Sequence, residues 1–181
     1  MTDVNSMAPG KPDCDGGPDP GPASERHDLV AFVELLFFAY RDFTGEADAV
    51  LQHYGLGRAH HRVLHFVNRH PGLRVIDLLE ILRITKQSLA RVLKTLVDGG
   101  FIEQRAGEID RRERLLFPSD KGHALAERLV RIQVERVGQA LSSAGPAGSQ
   151  AVRRFLAAMV ANADREAIEA MLQAASGRHE D

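Results

Sequence analysis

The sequence predicts a mainly α protein with a small β-hairpin: a winged helix-turn-helix with dimerisation helices at both ends. Three observations predict it. Apolar residues recur at helical spacings of 3 and 4 over most of the 181 residues. Between Val75 and Asp98 a compact helix, a tight turn and a second, polar-faced helix follow one another. Two strand-like pieces around a charged turn come directly after them.

Residues 1–26 hold five of the eight prolines and almost no large apolar side chain. Such a stretch cannot bury enough surface to offset its ordering entropy, so a disordered N-terminal tail is expected. The single cysteine, Cys14, lies in that tail, which excludes an internal disulfide and a cysteine-based zinc site. Residues 27–54 are expected to form an N-terminal dimerisation helix. Leu29–Phe43 is apolar around most of a helical circumference, as when a helix is covered both by its own core and by a partner subunit. Gly45 is expected to bend or interrupt it, Ala47–Tyr54 to resume it, and Gly55 to stop it.

Residues 55–117 form the expected DNA-binding lobe. A helix from about Gly57 to His70 carries Val63, Leu64 and Val67 on its core stripe and ends at Pro71-Gly72. Leu73–Val75 is a short extended piece, Val75–Leu82 a compact helix, and Arg83-Ile84 a turn. The Thr85 hydroxyl is placed to cap the next helix, Lys86 to about Asp98. Leu89, Val92, Leu93 and Leu96 point inward from it, while Lys86, Gln87, Ser88, Arg91, Lys94 and Thr95 face out. After Gly99-Gly100, strands Phe101–Arg105 and Arg112–Phe117 flank a polar loop with Gly107, Asp110 and Arg111. Residues 118–175 complete the dimerisation region. Ser119 caps a long helix to about Ser143, Ala144–Ser149 breaks the chain, and one last helix runs from Gln150 to about Ala174. Residues 176–181 are a polar tail.

The net charge of −2 conceals an uneven distribution. Gly55–Phe117 holds twelve Lys/Arg against seven Asp/Glu, a net +5 that leaves −7 for the remainder. A basic middle between acidic flanks suits one surface that meets a polyanion. The longest apolar run, Leu29–Tyr40, is broken by Glu34 and falls short of the roughly 18 residues a membrane span needs. With no secretory leader pattern, a cytoplasmic protein without membrane contact is expected. No Gly-rich phosphate loop, no G-x-S-x-G elbow and no nucleophile with its base is present, so an enzyme is not expected.

An α-helix fits the major groove of B-DNA, where each base pair shows a distinct donor and acceptor pattern. Gln87 can pair with adenine, Arg91 with guanine, and Ser88 with a base or a phosphate. A basic hairpin can reach the adjacent minor groove, whose focused negative potential favours arginine. The run Thr85-Lys86-Gln87-Ser88-Leu89-Ala90-Arg91-Val92-Leu93 stands at the centre of a longer pattern. Leu96–Ile102, Asp110-Arg111-Arg112 and Pro118-Ser119-Asp120-Lys121-Gly122 complete it. Over about residues 28–175 the chain resembles the MarR family of bacterial transcription regulators. Arg58–Leu64 and Thr85–Leu93 are similar to its PetP-type subgroup.

The resemblance implies a homodimer whose two lobes meet successive major grooves of a palindromic promoter site, roughly 34 Å apart. It implies no cofactor and no catalytic residue. It assigns Gln87, Ser88 and Arg91 to the recognition helix, Arg112 to the wing, and Asp110 to the acid that orients Arg112. Lys86, Lys94 and Arg111 complete the expected DNA-binding set. Family members commonly bind a small effector between the dimerisation helices and the DNA-binding lobe, and Tyr40, Arg41, His60, His61 and His65 are the candidate polar groups here. The peroxide-sensing branch uses a cysteine in the first helix, which this chain lacks. Two alternatives stay open: a winged-helix protein-interaction module without DNA binding, and a metal- or haem-responsive variant using His60, His61 and His65. Against the second, His61 and His65 sit at i and i+4 with no acid or cysteine at ligand spacing nearby, and packing is the preferred reading.

Overall fold

The computed structural model describes residues 22–145 and 147–176, and the expected tail, with Cys14, lies outside them but for residues 22–26. The chain divides into two units, Met1–Tyr40 and Arg41–Asp181. The described part of the first is helical from Pro22 and strongly apolar in its side chains; Leu29, Leu35 and Phe37 are 65%, 62% and 69% exposed. Residues 22–26, assigned from composition to the tail, are thus the first turn of a helix. That helix, α1 (Pro22–Gln52), runs on through Gly45 without the expected interruption. A glycine inside a helix costs about 1 kcal/mol relative to alanine. Burial of Ala47, Val50 and Leu51 just beyond it outweighs that cost.

In the second unit, α2 (Arg58–Arg69) packs Val63, Leu64 and Val67 fully inside. Gly72 adopts φ +87, and its N–H donates to the Leu116 carbonyl at 2.8 Å, which starts the sheet. β1 (Leu73–Arg74) leads straight into α3 (Val75–Leu82), and α4 (Lys86–Asp98) follows a three-residue turn. Arg83 ends α3 in the left-handed region at φ 50, the one described non-glycine residue with positive φ. A side chain there costs roughly 1–2 kcal/mol; Arg83 also pairs with Asp164.

β2 (Ile102–Ala106) and β3 (Arg114–Pro118) pair antiparallel, with Gln104 opposite Leu116 and Ala106 opposite Arg114. β1 joins the other side of β3, so the sheet has three strands in the order β1-β3-β2. The hairpin loop is correspondingly longer than its expected bounds, spanning 107–113. α5 (Asp120–Ser143) then adds Leu125, Ala126 and Leu129 to the same core as Leu78, Leu82, Leu89, Leu93, Leu96, Phe101, Ile102 and Leu116.

The last expected helix is two helices, α6 (Gly148–Met159) and α7 (Asn162–Ser176). Val160 takes an extended conformation between them (φ −70, ψ 136). Arg165 Nη2 donates to the carbonyls of Ala158 and Val160 at 3.4 Å each, which satisfies groups the break would leave open. No helix of the described residues is long and apolar enough to cross a membrane.

Candidate nucleic-acid interface

Helix α4, the expected recognition helix, is set by its cap and its buried stripe. Thr85 Oγ1 accepts the Ser88 N–H at 3.2 Å and donates its own proton to Ser88 Oγ at 2.9 Å. Ser88 therefore keeps its hydroxyl proton to donate outward. Leu89, Leu93 and Leu96 are buried and Val92 is half-buried, so the opposite face is fixed toward solvent. That face carries Lys86, Gln87, Ser88, Arg91 and Lys94, all exposed. The side chains of Gln87 and Arg91 make no hydrogen bond or ion pair among the described residues. Lys94 differs, because its ammonium lies 2.5 Å from Asp98 one turn on.

Beyond α4 the chain is clamped. Gly100 (φ +70) allows the reversal, and Phe101 N–H returns to the Leu96 carbonyl at 2.8 Å. Ser119 Oγ donates to the Gly100 carbonyl at 2.6 Å and accepts the Gly122 N–H at 3.0 Å. Lys121 donates to the Gly99 carbonyl at 2.7 Å with its ammonium 4.1 Å from the Phe101 ring centre. Gly122 sits so close to this turn that a Cβ on it would lie 1.9 Å from the Phe101 carbonyl oxygen. The Pro118–Gly122 motif is thus the joint between α5 and the end of α4.

The wing loop is closed by several local contacts. Asp110 Oδ1 accepts the Arg112 N–H at 2.8 Å, so Asp110 acts on the Arg112 main chain. The resemblance gave it the orientation of Arg112; the contact seen is to the peptide and leaves the guanidinium exposed. The Gly107 N–H donates to the Glu113 carbonyl at 3.2 Å, and the Glu113 N–H to the Asp110 carbonyl at 3.0 Å. A Cβ on Gly107 would stand 2.6 Å from the Asp110 oxygen, which accounts for glycine there. Arg114 Nη1 donates to the Arg111 carbonyl at 2.7 Å. Arg111 and Arg112 are exposed at this turn.

Between α4, the start of α3 and the wing lies a groove of about 850 Å³, whose lining includes Lys86, Lys94, Asp110 and Arg112. Four of the eight expected DNA-binding residues therefore share one concavity, and Gln87, Ser88, Arg91 and Arg111 do not line it. Sequence reasoning missed Arg74, Glu113 and Arg114, which also line it. Their charge was visible, but the pairing of Arg74 with Glu113 joins residues 39 positions apart in the sequence.

The expected effector residues are not gathered in a described groove. A second groove of about 760 Å³, between α3 and α7, is lined by Phe66, Asp77, Glu80, Arg83, Asp164 and Met171 among others. None of Tyr40, Arg41, His60, His61 and His65 lines either groove. Arg41 grips its neighbour Asp42 through Nε and Nη2 at 2.7 and 3.2 Å. His60 Nδ1 accepts the Gly57 N–H at 3.1 Å as α2 begins. His61 is buried, and Asp48 of α1 partly offsets the burial that holds its pKa below the usual histidine value. Burial likewise lowers His60 and His65. Among the described residues no group of three or more His, Cys, Asp or Glu could hold a metal ion.

A sequence model of the MarR family matches residues 54–113. The chain is 46% identical over 147 residues to the HTH-type transcriptional regulator PetP of Rhodobacter capsulatus, an overlap covering 81% of each protein. Among solved structures, it resembles a MarR transcriptional regulator from Methanosarcina mazei Go1 with a TM-score of 0.59 and 23% identity. That match covers 71% of this chain and 86% of the other. The transcriptional regulator SlyA gives a TM-score of 0.63 at 19% identity, covering 76% and 98%. MepR from S. aureus, solved as a complex with DNA, gives 0.61 at 18%, covering 71% and 95%. At these identities the structural likeness speaks to the winged-helix fold.

Proposed function

The chain belongs to the MarR family of transcriptional regulators, which are DNA-binding and not enzymatic, and from that premise we propose how it works. It is a homodimer in the cytoplasm that binds palindromic promoter sites, one lobe of each subunit per half-site, and a small effector modulates it. One observation carries the reading. A capped helix with a buried leucine stripe holds the Gln87 and Arg91 side chains outward, without a hydrogen bond or ion pair among the described residues, beside a basic wing turn.

In this reading α4 enters the major groove. Gln87 pairs with adenine and Arg91 with guanine through two hydrogen bonds each, and Ser88 donates to a base or a phosphate. Lys86 and Arg111 neutralise phosphates, and Lys94 joins them on release from Asp98. Arg112 enters the flanking minor groove, carried by the turn that Asp110 closes. The +5 charge of residues 55–117 supplies a salt-sensitive attraction independent of sequence.

The test is a titration of wild-type and Arg91→Ala protein against operator and random duplexes. Arg91→Ala should lose about ten- to a hundredfold in operator affinity and little on random DNA. Equal loss on both would make Arg91 a phosphate contact. Arg112→Ala should weaken binding and alter base preference next to the half-site, and an unchanged preference there would remove minor-groove reading.

A further inference from the structure

Arg74 is the last residue of β1 and pairs across the ladder with Leu115 of β3. Its guanidinium works in two directions. Nε and Nη2 donate to the two oxygens of Asp77 at 2.8 and 2.6 Å, while Nη1 donates to Glu113 Oε1 at 3.3 Å. Asp77 belongs to the first turn of α3, and Glu113 is the residue whose main chain closes the wing loop onto Gly107 and Asp110. A planar fork held by both oxygens of one carboxylate has a fixed orientation, so its remaining donor is aimed.

Glu113 poses a problem for the DNA-binding reading, on which the present inference rests. A carboxylate one residue from Arg112 would face the same phosphates and repel them. Arg74 answers that charge at close range, and it does so from the helix-turn-helix side of the groove.

We propose that Arg74 is a positioning residue for DNA binding: anchored on Asp77, it latches Glu113 and so fixes where the wing loop presents Arg111 and Arg112 relative to α3 and α4. The latch is partly solvated, the three side chains being 48%, 32% and 38% exposed, so its effect is graded. A loosened wing costs affinity by about two- to fivefold, concentrated at the flanking bases. Lysine cannot replace arginine, because one ammonium cannot span both carboxylates in this geometry.

The experiment uses the full-length protein and its Arg74→Lys, Arg74→Met and Glu113→Ala variants. Amide hydrogen exchange of the wing loop (107–113) is measured without DNA, with α5 as the internal reference. Affinity and its salt dependence are measured on duplexes selected from random sequence by the wild-type protein. All three variants should speed exchange in the wing alone. Arg74→Lys should lose affinity much as Arg74→Met does, with the salt slope unchanged. If Arg74→Lys binds as wild type and exchange in the wing does not change, Arg74 serves as a phosphate contact and the latch is overturned. If the wild-type protein selects no duplex, the DNA-binding reading fails, whereas wing exchange still decides whether the latch exists.

Discussion

Single residues decide the joints of this molecule. Gly122 is the tightest point, since any Cβ there would overlap the Phe101 carbonyl oxygen. Gly122→Ala should lower the stability of the protein by about 3 kcal/mol, read as a fall in the urea midpoint. An unchanged midpoint would mean that the start of α5 moves aside at no cost. Pro118–Gly122 was legible in the sequence as a motif, and Ser119 as a cap, which the structure bears out with the Gly122 N–H at 3.0 Å. The need for glycine was not legible, because the crowding atom belongs to Phe101 on the far side of the hairpin. Arg83 was illegible for a related reason: it ends α3 in the left-handed region, where local preference favours glycine.

At the level of elements, α4 and its neighbours follow directly from sequence. Thr85, the leucine stripe and Gly99-Gly100 each mark local events, a cap, a face and a stop, and the bounds Lys86–Asp98 match the expectation. The failures were long-range. Large apolar residues lapse between Val160 and Ile168, where alanines and polar residues stand, so the break left a faint trace; no proline or glycine marks it. The candidate interface was read where a pattern is local, in α4 and the Asp110-Arg112 turn, and missed where Arg74 and Glu113 meet across the sheet. Helix α2 carries a prediction of its own. His60, His61 and His65 have pKa values lowered mainly by burial, so the unfolded chain binds protons more readily than the folded one. Above about pH 6.5 both states hold them neutral and they add no pH dependence. As pH falls below that value, stability should drop progressively until the folded state protonates as well. His61→Gln should flatten that decline in denaturation measured between pH 7.5 and 5, and an unaltered slope would assign it to other groups.

For the molecule as a whole, the unexplained quantity is apolar surface. Leu29, Val33, Leu35 and Phe37 of α1, and Val152, Leu156 and Met159 of α6, are exposed in the single chain. A soluble protein rarely leaves so much hydrocarbon in water, and covering it by a second copy is the reading proposed above. Leu35→Glu combined with Phe37→Glu should halve the mass seen by sedimentation and abolish tight operator binding while the lobe of residues 55–117 stays folded. A wild-type protein that sediments as a single subunit, or a double variant that stays paired, would move the interface elsewhere or remove it.

The clamp around Phe101, Ser119 and Gly122 carries a mechanical consequence. Two hydrogen bonds and a cation–ring contact pin the head of α5 to the turn that ends α4, so the long helix is placed to act as a lever on α4. Tilting its far end would pull on α4, so in the proposed DNA-bound state a disturbance along α5 would reach the bases as motion.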